Sequence, residues 1–172
     1  MYFIYTKGLI MLHLTLGCMF SGKTTALIRD ESIHPGLVID YDICRNSHTL
    51  VNHNQVSIPC TTTTRLSDIN VTNHQYIYIN EAQFFMDLVE FVKDMLRLKK
   101  HVYVYGLDGD FKQETFGNIL DLIPMSDTYT KLYARCSGCD QPASFSKRLT
   151  ENDEQFRPHD AYVPVCRSCL TN

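Results

Sequence analysis

One eight-residue segment has the glycine, lysine and threonine spacing of a phosphate-binding loop, G-x-x-x-x-G-K-[ST]. The segment comprises Gly17, Cys18, Met19, Phe20, Ser21, Gly22, Lys23 and Thr24. The two glycines allow the backbone to turn so that successive N–H groups point at anionic oxygens, while Lys23 supplies a mobile cation and the Thr24 hydroxyl can bind magnesium. An ordinary glycine turn would fit the same pattern, so the flanking elements decide between the two interpretations.

The residues on either side of this loop favour phosphate binding. Leu12, Leu14 and Leu16 alternate with polar residues, which predicts a short strand leading into the loop. Residues 25–29 follow it directly and can begin a helix, whose N-terminal dipole attracts anions. We therefore predict that the chain binds a nucleoside triphosphate.

A second candidate site follows the apolar run 76–79, which ends in the polar residues Asn80, Glu81 and Gln83. In enzymes with a phosphate-binding loop, one strand ends in a carboxylate that helps to hold magnesium, and a second polar group orients or deprotonates the attacking oxygen. Glu81 fits the second role, because a hydroxyl attacks poorly until a nearby base accepts its proton. The alternative is a surface glutamate at a strand end with no chemical role.

Four cysteines near the C-terminus form a C-x2-C…C-x2-C set: Cys136, Cys139, Cys166 and Cys169. Two such pairs can supply four thiolates in a closed tetrahedral site, which is typical of structural zinc. A pair of disulfides is the alternative. With zinc bound, the residues between the pairs would form a loop held at its base, and such a loop beside a nucleotide site can act as a lid.

The order of predicted elements indicates how these residues are positioned. Residues 12–16, 37–41, 75–79 and 101–107 have the composition of strands, and residues 86–98 have the periodicity of an amphipathic helix. This alternation predicts an α/β fold with a mainly parallel sheet flanked by helices, in which ligands bind beyond the carboxyl ends of the strands. Residues 45–73 are predicted to form a loop with one or two short strands. We expect an N-terminal extension (1–11), a nucleotide-binding domain (12–130) and a zinc-binding module (131–172).

Composition limits the classes of partner. The formal net charge of -3 gives no support for a nucleic-acid or membrane-surface partner, because phosphate groups attract basic faces. No apolar run approaches the ~20 residues that span a bilayer, and the first ten residues lack the pattern of a secretory signal. The seven cysteines are an odd number, and three are scattered beside the two pairs. This usage indicates a reducing compartment, and we expect a cytoplasmic location.

Several motifs in a fixed order make the chain resemble the cytosolic-type (type II) thymidine kinases, and its short length is similar to that of the viral members. The motifs are Phe-Ser-Gly-Lys at 20–23, Glu-Ala-Gln-Phe-Phe at 81–85, Leu-Asp-Gly-Asp-Phe at 107–111, Phe-Gly at 116–117 and the four cysteines. The resemblance implies a P-loop NTPase (RecA-like) fold with a C-terminal zinc-ribbon and lasso module, the lasso being the loop that closes over thymine. It also implies ATP-dependent phosphorylation of the 5′-hydroxyl of thymidine, magnesium with ATP, structural zinc and a homotetramer.

The resemblance implies roles for individual residues. Glu81 would be the catalytic base. The ATP-binding residues would be Gly17, Cys18, Met19, Phe20, Ser21, Gly22, Lys23, Thr24, Asn80 and Gln83. The substrate-binding residues would be Met19, Leu107, Phe111, Ser146, Phe156, Arg157 and Tyr162. Core packing is the alternative role for the aromatic residues among them.

Four positions depart from the family pattern. Asn80 stands where the family has aspartate, and we expect this loss of charge to weaken magnesium binding and reduce the rate. The family's Asp-x-Arg is absent after the second strand, where Asp40, Asp42 and Arg45 have other spacings. Arg157-Pro158-His159 replaces a glycine pair ahead of the lasso tyrosine, and proline donates no N–H to a base. Cys18 replaces a proline without an expected consequence.

These departures leave three alternatives to a thymidine kinase. The first is a deoxynucleoside kinase of broader base preference, which the altered lasso would produce. The second is a catalytically impaired nucleotide-binding homologue, which Asn80 would produce. The third is a zinc-ribbon protein that binds nucleic acid, which four cysteines alone would allow and the acidic charge balance disfavours.

Overall fold

The computed structural model describes residues 11–42, 48–151, 153–157 and 160–171. Its strands are β1 Leu12–Gly17, β2 Leu37–Tyr41, β3 Thr49–Val51, β4 Ser57–Pro59, β5 Thr61–Thr63, β6 Tyr76–Ile79, β7 His101–Gly106, β8 Thr128–Leu132, β9 Ala134–Arg135, β10 Pro142–Ala143, β11 Phe145–Arg148 and β12 Tyr162–Val165. Its α-helices are α1 Lys23–Ile33, α2 Leu88–Arg97 and α3 Arg167–Leu170. Short 3-10 helices span Leu66–Asp68, Ala82–Phe84 and Ile119–Met125.

Six strands form one sheet in the order β5-β2-β6-β7-β1-β8, and every neighbouring pair is parallel. This sheet, with helices packed against it, confirms the predicted α/β class. Because the strands are parallel, their carboxyl ends share one edge, and both β1 and β6 lead into predicted site residues there. The sequence prediction located β1, β2, β6 and β7, and it expected one or two short strands within residues 45–73, where three are found, β3, β4 and β5. It did not locate the polar edge strand β8.

The two faces of the sheet bury separate apolar clusters. Helix α2 covers one face with Leu88, Phe91, Val92 and Met95, which pack with the apolar side chains of β1, β6 and β7. Helix α1 contributes Leu27 to a smaller cluster on the other face. Truncation of a fully buried leucine such as these costs about 2–5 kcal/mol, so the packing fixes where the strand ends lie.

The C-terminal part of the chain adds two antiparallel pairs, β9 with β10 and β11 with β12. A small apolar cluster joins this part to the phosphate-binding loop, because Cys18 packs with Ala134, Cys136 and Val165. The predicted boundary at residue 130 falls inside β8, which pairs with β1 as far as Leu132.

Some predictions concern residues outside the described ranges. The predicted N-terminal extension is of this kind except for Met11, whose carbonyl accepts a hydrogen bond from the Val102 N–H. Arg45, Pro158 and His159 also lie outside the described residues. In the part of the chain that is described, no helix combines the length and apolar character needed to cross a bilayer.

Candidate active site

A cavity of about 350 Å³ opens at the carboxyl edge of the sheet, between the phosphate-binding loop and the C-terminal segment. The predicted site residues that line it are Met19, Phe20, Gly22, Lys23, Thr24, Glu81, Gln83, Leu107, Phe156, Arg157 and Tyr162. The remaining predicted residues, which are Gly17, Cys18, Ser21, Asn80, Phe111 and Ser146, do not line it. The fold therefore brings residues of two distant sequence motifs together with Phe156, Arg157 and Tyr162 at one cavity.

The start of the phosphate-binding loop is tightly packed at Gly17. A Cβ atom there would lie 2.6 Å from the Ser21 hydroxyl oxygen and 2.7 Å from the Leu132 carbonyl oxygen, so a side chain would displace the loop. Lys23 is 8% exposed, and its Nζ donates hydrogen bonds to the carbonyls of Gly17 (3.1 Å) and Cys18 (2.8 Å). Burial lowers the pKa of Lys23, while the negative charge of Glu81 opposes that shift. The Lys23 side chain is therefore held inside the phosphate-binding loop by hydrogen bonds to two of the loop's own carbonyls.

Glu81 directly precedes the 3-10 helix Ala82–Phe84 and has a left-handed backbone conformation, with φ of 49°. Its carboxylate accepts a hydrogen bond from Gln83 Nε2 at 2.7 Å, and Gln83 Oε1 accepts one from the Leu107 N–H at 3.0 Å. Gln83 is 2% exposed, and a Cβ at Gly117 would lie 2.1 Å from the Gln83 carbonyl oxygen. Packing and hydrogen bonds thus fix Gln83, which in turn fixes the carboxylate that faces the cavity.

Asn80, directly before Glu81, points its amide at the neighbouring strand. Asn80 Nδ2 donates to Asp40 Oδ1 at 2.8 Å, and both residues are buried. The Asn80 N–H also donates to the Ile39 carbonyl at 2.8 Å, which continues the pairing of β2 with β6. Burial, followed by the charge of Asp40, raises the pKa of the Cys60 thiol to about 11. Neither Asn80 nor Asp40 lines the cavity, and no sequence spacing pointed to their contact.

Aromatic rings form the far wall of the cavity. The Phe156 ring lies 4.8 Å from that of Phe84 and 6.5 Å from that of Tyr162, measured between ring centres. Behind Tyr162 lies Arg148, whose side chain is 1% exposed and whose guanidinium donates to the Tyr162 hydroxyl at 2.6 and 3.1 Å. Arg148 also stacks on Phe111 at 3.9 Å, so the predicted substrate-wall residue Phe111 packs behind the wall rather than in it.

Ser146 lies at a contact between the phosphate-binding loop and the C-terminal part of the chain. Its hydroxyl accepts a hydrogen bond from the Met19 N–H at 3.0 Å, and Cys18 Sγ donates to the Ala143 carbonyl at 3.4 Å. Ser146, Asp108 and Asp110 line a separate, smaller cavity of about 150 Å³. The C-terminal part of the chain thus holds the first half of the phosphate-binding loop.

Five residues that line the cavity were not predicted as site residues: Thr25, Asn52, His53, Phe84 and Asp160. Asn52 and His53 lie in the turn between β3 and β4, where Asn52 Nδ2 donates to Thr25 Oγ1 at 3.4 Å. The His53 ring contacts that of Phe20, with 5.2 Å between centres. Polar turn residues of this kind carry no spacing signal, so only the fold could reveal them.

The four cysteines of the two C-x2-C pairs come together, with all four Sγ atoms within 4.8 Å of one another. None of them is in a disulfide. The Cys166 N–H donates to Cys136 Sγ at 3.2 Å, and this bond is the main reason that the pKa of Cys136 is lowered to about 6. The pKa of Cys166 is lowered as well, whereas the pKa values of Cys139 and Cys169 are raised. Four clustered sulfurs, two of them favouring the thiolate, fit a tetrahedral metal site and are compatible with zinc.

Comparison with known proteins gives a consistent result. The sequence model of the thymidine kinase family (TK) matches residues 10–170. A thymidine kinase of Yaba monkey tumor virus (strain VR587) is 40% identical over 168 residues, covering 92% of this chain and 93% of the viral protein. A thymidine kinase of fowlpox virus (strain NVSL) is 37% identical, covering 92% and 96%. A thymidine kinase of vaccinia virus (strain Western Reserve) is 39% identical, covering 92% and 95%.

Proposed function

Because the chain belongs to the thymidine kinase family, we propose that its cavity transfers the γ-phosphoryl group of ATP to the 5′-oxygen of thymidine with Glu81 as the base. The observation that carries the proposal is the position of Glu81. Glu81 lines the same cavity as Lys23 and Thr24 of the phosphate-binding loop, so an acceptor hydroxyl and a triphosphate can meet there beside a carboxylic acid side chain.

The ATP side of the site consists of the loop from Gly17 to Thr24. Its backbone N–H groups would bind phosphate oxygens, and Lys23 would exchange its two carbonyl partners for the β- and γ-phosphates. The Thr24 hydroxyl lines the cavity and is a suitable magnesium ligand. Magnesium, when bound with ATP, supplies positive charge that offsets the charge of the phosphates. Gln83 would act here through its hydrogen bond to Glu81.

The thymidine side consists of apolar and aromatic side chains. Met19, Leu107, Phe156 and Tyr162 line the cavity and would enclose the base, with Arg157 at the rim. Two other predicted residues would act indirectly: Ser146 through the Met19 N–H and Phe111 through Arg148. Flat apolar walls with a few fixed polar groups are the usual construction of a small-molecule site.

The reaction needs no covalent enzyme intermediate. Glu81 accepts the proton of the 5′-hydroxyl as the 5′-oxygen forms a bond to the γ-phosphorus. The bond between that phosphorus and the β–γ bridging oxygen breaks, and ADP leaves with the electron pair. Lys23 offsets the charge that develops on the transferred group. The products are ADP and thymidine monophosphate.

Several broader features remain proposals. The four cysteines would hold zinc in a structural role, because four sulfurs leave no open position for a substrate. Residues 131–172 would then form a lasso module on the nucleotide-binding domain. A homotetramer and a cytoplasmic location are proposed from the family resemblance and the cysteine usage.

The proposal is tested by replacing the base without changing its shape. Glu81→Gln keeps an oxygen that can accept from Gln83, but it cannot accept the substrate proton, so kcat should fall ~10²- to 10⁴-fold with little change in KM. Glu90→Gln is the matched control, since Glu90 is exposed on α2 and pairs only with Lys93 among its described contacts. Formation of thymidine monophosphate is measured for both. An unchanged kcat for Glu81→Gln would refute the assignment.

The altered lasso calls for a separate test of base choice. We propose thymidine as the preferred acceptor, and competition among thymidine, deoxyuridine and deoxycytidine measures that preference. Equal kcat/KM for all three would instead favour a broader deoxynucleoside kinase.

A further inference from the structure

Asp40 and Asn80 form a buried pair at the carboxyl ends of the neighbouring strands β2 and β6. Asn80 is the residue directly before Glu81. Asn80 Nδ2 and Asp40 Oδ1 are 2.8 Å apart, and the residues are 4% and 7% exposed. An ionised carboxylate only accepts hydrogen bonds, so the amide nitrogen of Asn80 must face it. Asp40 Oδ1 also accepts the Tyr41 N–H at 3.1 Å. The edge of the sheet therefore carries a carboxylate on β2 beside an amide that directly follows β6.

We propose that Asp40 supplies the acidic charge that position 80 lacks, and that Asn80 positions the Asp40 carboxylate. The proposal rests on the proposed function, since a kinase site needs negative charge near its phosphate-bound cation. The position of the pair supports it, because Asp40 and Asn80 continue the Ile39 and Ile79 register at the edge where the cavity opens. On this proposal magnesium binding would not be weakened by Asn80, because Asp40 would supply the missing negative charge.

The hydrogen bond also predicts why an aspartate at position 80 would not help this chain. Asn80→Asp would set a second carboxylate against Asp40 in a buried position, where like charges at hydrogen-bond distance repel. The backbone of Glu81 would be affected directly, because residue 80 precedes it and Glu81 already has φ of 49°. Exchanging the two side chains would instead keep one amide, one carboxylate and the bond between them.

A double-mutant cycle tests this assignment. Its members are the parent, Asp40→Asn, Asn80→Asp and the variant with both substitutions, with Asp68→Asn as an exposed control. Two measurements are made on each protein: the thermal midpoint without ligands, and the affinity for ATP with and without magnesium. Neither measurement needs thymidine or turnover. A parent that fails to phosphorylate thymidine would therefore contradict the proposed function without deciding this proposal.

The expected results separate an effect on magnesium-dependent ATP binding from an effect on the stability of the fold. Asp40→Asn should reduce the tightening of ATP binding by magnesium roughly tenfold, because one buried negative charge at the carboxyl edge of the sheet is lost. Asn80→Asp should lower the thermal midpoint by about 5 °C or more, and the double variant should recover both the midpoint and the magnesium effect. Asp68→Asn should match the parent.

Two results would overturn the proposal. One is a magnesium effect in Asp40→Asn within about twofold of the parent, a difference too small for the loss of a negative charge that acts on the cation. The other is an Asn80→Asp variant that is as stable as the parent and binds magnesium with ATP more tightly, since position 80 would then be an acidic position that this chain leaves unfilled.

Discussion

Gln83 links Glu81 to the Leu107 N–H through two hydrogen bonds, and Gln83→Met tests this link. Methionine has a similar length but donates and accepts no comparable hydrogen bond. The variant leaves the buried Leu107 N–H unpaired, which costs about 1–3 kcal/mol. For a chain of this size each kcal/mol shifts the thermal midpoint by about 2–4 °C, so a fall of about 2–12 °C is expected.

The same substitution removes the hydrogen bond that orients the Glu81 carboxylate. A hydrogen bond to a charged group contributes about 1.5–3 kcal/mol, so kcat should fall about 10- to 150-fold while the KM for ATP changes little. Gln75→Met is the matched control, because Gln75 donates to the Lys99 carbonyl from an exposed position. Differential scanning fluorimetry and steady-state kinetics give both quantities. A variant with the parent's kcat would refute the positioning role, and an unchanged midpoint would refute the energetic argument.

Three further predictions address the cysteines, the far wall and acid stability. Cys136→Ser should lower the zinc content per chain, measured by elemental analysis, and lower the thermal midpoint, because one of four clustered sulfurs is lost; an unchanged zinc content would contradict the site. Arg148→Met should raise the KM for thymidine more than the KM for ATP, because Tyr162 loses its two guanidinium hydrogen bonds. Steady-state kinetics with each substrate varied measures both KM values, and an equal rise in the two would contradict the prediction. Burial lowers the pKa of His13 and of His101 below the ordinary 6.5, so protonation of these histidines favours the unfolded chain. Their contribution to stability is therefore complete above pH 6.5 and is lost as the pH falls below it. The thermal midpoint should fall between pH 8 and pH 5, and His13→Gln should make that fall smaller.

The sheet and the phosphate-binding loop were predictable because their signals are local. The strand predicted at 37–41 is β2 as observed, and the helix predicted at 86–98 is α2, Leu88–Arg97. Alternation or helical periodicity within one segment is enough for such elements. β8 was missed because four of its five residues are exposed, so it has no apolar pattern although it pairs fully with β1.

Site residues that belong to a sequence motif were predictable. The side chains that contact them were not, because those contacts depend on the fold. Lys23 and Glu81 line one cavity, as motif spacing led us to expect. The partner of Asn80 was not predictable, because Asp40 lies forty residues away in sequence and is adjacent only through the pairing of β2 with β6. Phe111 shows the same limit, since its contact with Arg148 depends on how the lasso segment packs.

The central claim is that the γ-phosphoryl group moves to the 5′-oxygen of thymidine in the cavity that Lys23 and Glu81 share. The direct test incubates the purified protein with magnesium, ATP labelled in its γ-phosphate, and either 3′-deoxythymidine or 5′-deoxythymidine. Labelled monophosphate is expected from 3′-deoxythymidine, which retains the 5′-hydroxyl, and none from 5′-deoxythymidine, which lacks it. Label on the 5′-deoxy compound, or no label on either compound, would contradict transfer to the 5′-oxygen.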